Sequence, residues 1–325
     1  MNRLTENALT RPAPEAVLDL MAERFAEAEE ALARIQLEGD EEAVHDFRVA
    51  VRRLRSLERA YRACLAGGAL RKLRKRLARV TEATGRARDL EVQLAWLAQE
   101  REVMRPHERF GFDWLQRRLG AARQAERRRL RKRLGKHFGK FSASFARLRP
   151  SAKENKPFSA AVAGRVQAVM DRLGVSLRAM RTTDDARCAH RTRIEAKRLR
   201  YLVEPLHGLL APADGVVETL KALQDLLGEV HDRQVLRAML SEAAEQAGAE
   251  HFRRLIELSA THDPEDPLCQ AAREQDERAG LARLAREAAE QHGDLMLKFR
   301  AQLESGLIAE LEGRIGELLD ALDVA

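Results

Sequence analysis

A thirteen-residue pattern occurs twice in this chain and constrains its fold more than any other feature. The stretch VHDFRVAVRRLRS runs from Val44 to Ser56, and AHRTRIEAKRLRY runs from Ala189 to Tyr201, 145 residues later. A second match follows each copy at an offset of 143, TEATGRARDLEV at 81–92 and QDLLGEVHDRQV at 224–235. Two ordered blocks at nearly one offset indicate a duplicated chain whose halves fold alike.

Long segments around these blocks contain little Pro or Gly, and their leucines and alanines recur every three or four residues, as in amphipathic helices. Almost nothing is typical of a strand. The sequence predicts an all-α fold of two homologous helical bundles related by approximate two-fold symmetry, with a flexible N-terminus at 1–13 and bundles at 14–150 and 151–325. The predicted helices are Pro14–Leu37, Glu41–Leu65, Ala69–Thr84, Arg88–Met104 and His107–Leu148, then Phe158–Met180, Asp185–Leu210, Asp214–Leu227, Asp232–Ala247 and Cys269–Leu322, the last long enough to contain a further break.

The repeated helix carries apolar residues on one side and cations on the adjacent side. At about 100° per residue, its cations fall within an arc of roughly 80°. Such stacked like charges repel one another, which suggests an anionic ligand, although a solvated basic face is the simpler alternative. Arg53 and Arg198 point away from this arc and are expected to contact a neighbouring helix. The ladder consists of His45, Arg48, Arg52, Arg55 and Arg59 in the first copy, and of His190, Arg193, Lys197 and Arg200 in the second.

Further cations extend this basic field. The following helix of the first half contributes Arg71, Lys72, Arg74, Lys75, Arg76 and Arg79, and Lys221 follows in the second half. We expect Arg86 and Arg88 at a helix start, where free N–H groups favour an anion, and Asp89 and Asp232 as helix caps.

Charge is also distributed unevenly along the chain. The stretch 117–149 holds 13 Lys or Arg and one acid, whereas residues 241–325 hold 19 acids against 9 bases. The basic part therefore suits a large anionic partner, and 117–149 suits either an anion or the acidic last helix.

Other global features favour a cytoplasmic globular protein. The 325 residues are 45 % hydrophobic, but no apolar stretch approaches the roughly 20 residues that span a bilayer, and the N-terminus lacks a secretory signal. The cysteines at positions 64, 188 and 269 form no CxxC pair, so we expect packing roles and neither a disulfide framework nor a thiolate metal site. The sequence predicts no cofactor.

The paired blocks resemble the two repeats of the CHAD family of α-helical histidine-containing domains, over about 14–322. This resemblance implies a basic central channel between two helical bundles, binding of inorganic polyphosphate and association with polyphosphate granules. Carried over by position, it implicates both ladders, with Lys75, Arg79, Arg88 and Lys221 as flanking contacts. Some members also carry a triphosphatase domain with an ExExK motif, which this sequence lacks.

Three alternatives remain open. The His45-Asp46 and His231-Asp232 pairs are reminiscent of metal-dependent phosphohydrolases, although no other residues complete a convincing ligand set. Nucleic-acid binding fits the sequence pI near 9.6 but is disfavoured because aromatics are only 4 % and suggest no stacking platform. A scaffold of long helices is the third. We therefore predict a non-catalytic polyphosphate-binding module; the sequence indicates no protein partner, oligomeric state or preferred chain length.

Overall fold

The computed structural model describes residues 7–37, 42–66, 70–183 and 185–325, and in these ranges the chain is almost entirely helical, which confirms the all-α class. The α-helices are α1 (Asn7–Thr10), α2 (Ala13–Gln36), α3 (Ala43–Ala60), α4 (Leu70–Glu100), α5 (Arg109–Phe145), α6 (Phe158–Ala179), α7 (Ala186–Val203), α8 (Ala211–Ser259), α9 (Pro267–Glu274), α10 (Arg278–Glu304) and α11 (Leu307–Val324). Short 3₁₀ helices cover Arg62–Cys64, Arg101–Val103, Pro106–Glu108 and Glu204–Leu206. Strands β1 (Leu65–Ala66) and β2 (Arg149–Pro150) pair antiparallel. Across the described ranges, no helix combines the length and the apolar character needed to cross a membrane.

Several helix ends follow from local residue chemistry. The Asp185 side chain accepts a hydrogen bond from the backbone N–H of Arg187 (3.1 Å) and so caps α7. Asp266 caps α9 in the same way through the N–H of Leu268 (2.8 Å). Gly306, with a φ of 98°, separates α10 from α11, because glycine adopts left-handed backbone geometry without a side-chain clash. The predicted last helix, Cys269–Leu322, is divided in the structure into α9, α10 and α11.

The predicted helix breaks near 84–88 and 227–232 are wrong. Helix α4 continues through Gly85, and α8 continues through Gly228. A glycine costs a helix interior only about 1 kcal/mol relative to alanine, which packing along the rest of the helix offsets. Asp89 and Asp232 are therefore not N-caps, and Arg88 has no free helix N-terminus beside it.

Other predicted boundaries have mixed outcomes. The predicted starts at Glu41 and Ala69 lie outside the described residues, as do residues 1–6. Within the segment predicted to be flexible, residues 7–10 form α1, and Leu9 is buried. The repeat boundaries 14–150 and 151–325 stay a prediction, because packing defines compact units and not ancestry.

The chain divides into two compact units, of which unit 1 comprises Met1–Gly85, Arg129–Gly228 and Lys298–Ala325. Inside unit 1, α3 packs against α2 and α7, and α6 packs against α7 and α11. Phe25 of α2 stacks on Phe138 and Phe145 of α5, with ring centroids 5.4 and 4.4 Å apart, and Phe47 of α3 meets Phe138 edge-on. These rings hold α3 on its apolar side, next to α2 and α5.

Unit 2 comprises Arg86–Arg128 and Glu229–Leu297. Its core contains Trp96, Phe112, Leu115 and Leu284. Helices α5 and α10 approach closely at Gly280, where an added Cβ would lie 2.0 Å from the carbonyl oxygen of Glu108. Only glycine therefore permits this packing of the two helix starts.

Candidate anion-binding site

Helices α3 and α7, which carry the two repeated patterns, pack directly against each other in unit 1. Arg53 of α3 donates from Nε to Oε2 of Glu204 (3.2 Å), immediately after α7, and a second nitrogen binds the other carboxylate oxygen. It also lies 3.8 Å from Glu27 of α2. Burial opposes the charge on Arg53, but the hydrogen bond and charge of Glu204 raise its pKa overall. The prediction that Arg53 contacts neighbouring helices is confirmed.

Six residues further along α3, or nearly two turns, Arg59 has cationic neighbours instead. Burial, followed by the charges of Arg55 and Arg198, lowers the pKa of Arg59, so these guanidinium groups are close enough to repel. Arg74 of α4 and Arg62 belong to the same group, because both act on the carboxylate of Glu58. We call Arg55, Arg59, Arg62, Arg74 and Arg198 the arginine cluster.

The two contacts between α3 and α7 use corresponding positions of the repeated patterns. Arg53 and Arg198 are 145 residues apart, and so are Arg59 and Glu204. Arg53 therefore has an acid, Glu204, as its neighbour, whereas the corresponding residue Arg198 has a base, Arg59. This correspondence fits approximate two-fold packing of the two helices, with attraction at one contact and repulsion at the other.

The neighbours of Arg53 and Arg59 also show how α3 and α7 are oriented. Arg53 lies by Glu204 and Arg59 by Arg198, so α3 and α7 run antiparallel and overlap in their last two turns. His45 lies 14 residues before Arg59, or about 21 Å along the helix axis. His190 lies eight residues before Arg198, or about 12 Å in the opposite direction. The two helices therefore overlap at their C-terminal ends, and His45 and His190 lie on either side of this overlap.

Two further arginines have donors enclosed by protein. The Nε groups of Arg52 and Arg200 are buried without a hydrogen-bond partner, and the guanidinium of Arg200 lies 5.1 Å from the ring centroid of Tyr201. A buried unsatisfied N–H is costly.

Some predicted ligand contacts instead join helices. Arg48 donates to the carbonyl oxygens of Thr84 and Gly85 (3.3 Å to the latter) and so ties α3 to α4. Arg76 ties α4 to α5 by donating to the hydroxyl of Ser144 (2.5 Å). Their loss would disturb packing as well as charge.

All predicted site residues except Arg88 belong to unit 1. The exposed ones are His45, Arg59, Lys72, Lys75, Arg79, Arg88, His190 and Lys221, and the half-buried ones are Arg48, Arg52, Arg55, Arg76, Arg193, Lys197 and Arg200. Sequence reasoning placed Arg198 away from the site, although it faces Arg59. The Arg198 side chain also pairs with Glu195 one turn earlier, as its spacing within α7 allows. Its proximity to Arg59 depends on the packing of α3 against α7, which the sequence does not show.

The two HD pairs lie outside the group of possible metal ligands found among the described residues. Asp46 binds Arg34 at 2.7 Å. Among the described residues, the one group close enough to share an ion is His251, Asp276 and Glu277, which contains neither HD pair. Arg254 already lies 3.2 Å from Nδ1 of that histidine and 3.5 Å from Oε1 of Glu277. Its guanidinium supplies positive charge to this cluster.

Unit 2 contains a cavity of about 970 Å³ between α4, α5 and α8. Its wall includes the cations Arg86 and Arg117, the acids Glu242 and Glu250, and the indole of Trp114, which donates to Glu250 (2.9 Å). Of the cations that the sequence singled out, Arg86 and Arg117 line it, whereas both ladders lie elsewhere. Its mixed charges distinguish it from the arginine cluster.

Comparisons with known proteins identify relatives of this fold. A family model described as the CHAD domain matches residues 16–241, a segment that includes α3, the arginine cluster and α7. The crystal structure of the CHAD domain from the plant Ricinus communis is 26 % identical with a TM-score of 0.57, covering 86 % of this chain and 95 % of that one. PptA from Streptomyces chartreusis is 16 % identical with a TM-score of 0.59, covering 87 % and 99 %, and at that identity shows the fold alone. No curated protein sequence gives a significant match.

Proposed function

The chain belongs to the CHAD domain family, and on that premise we propose that it binds inorganic polyphosphate through the arginine cluster without chemically altering it. The proposed site extends from the cluster along both ladders, towards His45 on α3 and His190 on α7. The central channel implied by the family resemblance is part of this proposal, as is association with polyphosphate granules.

The packing of α3 against α7, with the charges of Arg55 and Arg198 both acting on Arg59, is the observation that carries the proposal. Burial, followed by the charges of Arg55 and Arg198, lowers the pKa of Arg59, so the ionised Arg59 raises the free energy of the folded chain. A bound phosphate turns that repulsion into attraction to a shared anion. Arginine is well suited to this role, because its planar fork can donate two hydrogen bonds to one phosphate group.

The arrangement of the ladders favours a long ligand over a compact one. His45 and His190 lie about 21 and 12 Å from the meeting point along helices that run in opposite directions. A flexible linear polyanion can follow cations along such a path, whereas a single phosphate reaches only one group. We therefore expect affinity to rise with chain length until both ladders are covered.

The direct test is titration of the full chain with polyphosphate of defined length at two salt concentrations. Release of counterions should make binding weaken steeply with salt, by roughly 0.7 logarithmic units in affinity per tenfold salt for each phosphate held, if single-stranded nucleic acid is a guide. Duplex DNA at equal charge concentration is the control competitor. Displacement of polyphosphate by DNA would contradict selectivity for polyphosphate.

Catalysis is tested separately. Polyphosphate incubated with the chain and each of several divalent metals should release no phosphate beyond the protein-free rate, and metal analysis accompanies the assay. Phosphate release that is lost on replacing Asp46 or Asp232 would favour the phosphohydrolase alternative. Labelled chain should colocalise with polyphosphate granules in cells, and a diffuse distribution would contradict that part of the proposal.

A further inference from the structure

A buried acid lies within the arginine cluster. Glu58 of α3 is only 2 % exposed, and its Oε1 lies 3.4 Å from Nε of Arg74. Arg62, Arg59 and Arg55 also act electrostatically on its carboxylate. Glu58 is thus an anion of the chain itself, placed among the cations that would hold a phosphate.

Packing alone does not explain an acid at this position. Transferring a carboxylate from water into protein is costly, and burial raises the pKa of Glu58 although Arg74 and the other arginines act in the opposite direction. The corresponding residue of the second copy, 145 positions later, is Val203, which is fully buried at 0 % exposure. An apolar side chain therefore satisfies the same place in the repeated pattern.

We infer that Glu58 is an internal competitor for the phosphate ligand, and that it limits the affinity of the arginine cluster by occupying part of its positive charge. This inference rests on the proposed polyphosphate-binding function. Carboxylate and phosphate oxygens accept the same guanidinium hydrogen bonds, so each reduces the attraction of the cluster for the other. The consequence is a site that binds a long polyanion but releases it more readily than its arginines alone would allow.

The test compares wild type with Glu58→Gln in the full chain. Removing the carboxylate adds one unit of positive charge to the site, so affinity for polyphosphate should increase roughly five-fold at 0.1 M salt and its salt dependence should steepen by about 0.7. Glu312→Gln is the charge-matched control, because Glu312 of α11 pairs with Arg178 at 3.2 Å and both side chains are about half exposed. Its effect should stay below roughly two-fold, as expected for an exposed charge screened by salt.

The possible results separate the role of Glu58 from the proposed binding of polyphosphate. Wild-type chain that fails to bind polyphosphate overturns the proposed function. Binding by wild type, with no gain in Glu58→Gln or with an equal gain in Glu312→Gln, overturns only the role of Glu58. Glu58→Met, which keeps an unbranched side chain without charge, should reproduce the gain if glutamine packs poorly. Failure of both Glu58 variants to fold would assign this residue to stability and refute the inference.

Discussion

Replacing Arg59 with glutamine should stabilise the chain and weaken polyphosphate binding, which are opposite effects of one substitution. Burial and the charges of Arg55 and Arg198 disfavour the Arg59 cation. A like-charge pair one helical turn apart costs roughly 0.2–0.5 kcal/mol, and a second pair across the helix interface adds a similar amount after allowance for screening by water. Arg59→Gln should therefore increase the free energy of unfolding by about 0.5–1 kcal/mol, or raise Tm by about 1–3 °C.

The same change removes one guanidinium from the proposed phosphate site. Affinity for polyphosphate should fall roughly five-fold at 0.1 M salt, and the salt dependence should become shallower by about 0.7. Urea unfolding measures the first effect, and titration at two salt concentrations measures the second. Circular dichroism should show unchanged helicity.

Arg53→Gln is the matched control, because it removes the same charge from the same helix. It leaves Glu204 without its bidentate partner, so we expect a loss of about 1–2 kcal/mol in stability and only a small change in binding. Lower stability of Arg59→Gln would refute the reasoning about repulsion. Equal loss of binding in the two variants would show that net charge matters and location does not.

Three further results are expected. Burial raises the pKa of Glu58, so the wild-type chain loses stability as pH rises from about 4.5 through that elevated pKa and the carboxyl group ionises. Urea unfolding between pH 4 and pH 7 should therefore show Glu58→Gln gaining stability relative to wild type. A difference that stays constant with pH would contradict this. Gly280→Ala forces a Cβ against the carbonyl of Glu108 and should lower Tm by several degrees, whereas Gly293→Ala, with open space around it, should not. Phe25→Ala should cost roughly 3 kcal/mol in urea unfolding, because two stacked ring contacts and one tilted one are lost, and a change below about 1 kcal/mol would mean that α2 repacks.

The sequence predicted helices well where apolar spacing and a polar cap coincide. The end of α6 and the start of α7 lie within two residues of prediction, since Asp185 supplies a cap before an amphipathic run. It failed at Gly85 and Gly228, because a glycine in isolation does not reveal whether packing on either side of it outweighs its low helix propensity. Local pattern cannot determine that balance.

For the site, the sequence identified the helices but only part of the set of interacting residues. The ladder on α3 is apparent from spacing within one helix. The contact of Arg198 with Arg59 depends on residues 139 positions apart, and the links from Arg48 and Arg76 to other helices depend on which faces meet. A basic residue within a motif therefore does not disclose whether its charge is already neutralised.

Two arginines six residues apart on α3 have neighbours whose charges differ in sign. Arg53 pairs with Glu204, whereas Arg59 lies near Arg198. Among relatives of this chain, the number of arginines is consequently a poor guide to ligand capacity. A substitution of glutamate by a neutral residue beside Arg53 would create a new point of attachment, while an acid arising beside Arg198 would remove one. If the proposed site binds polyphosphate, changes in acids alone would alter how strongly it holds that ligand, with every arginine left in place.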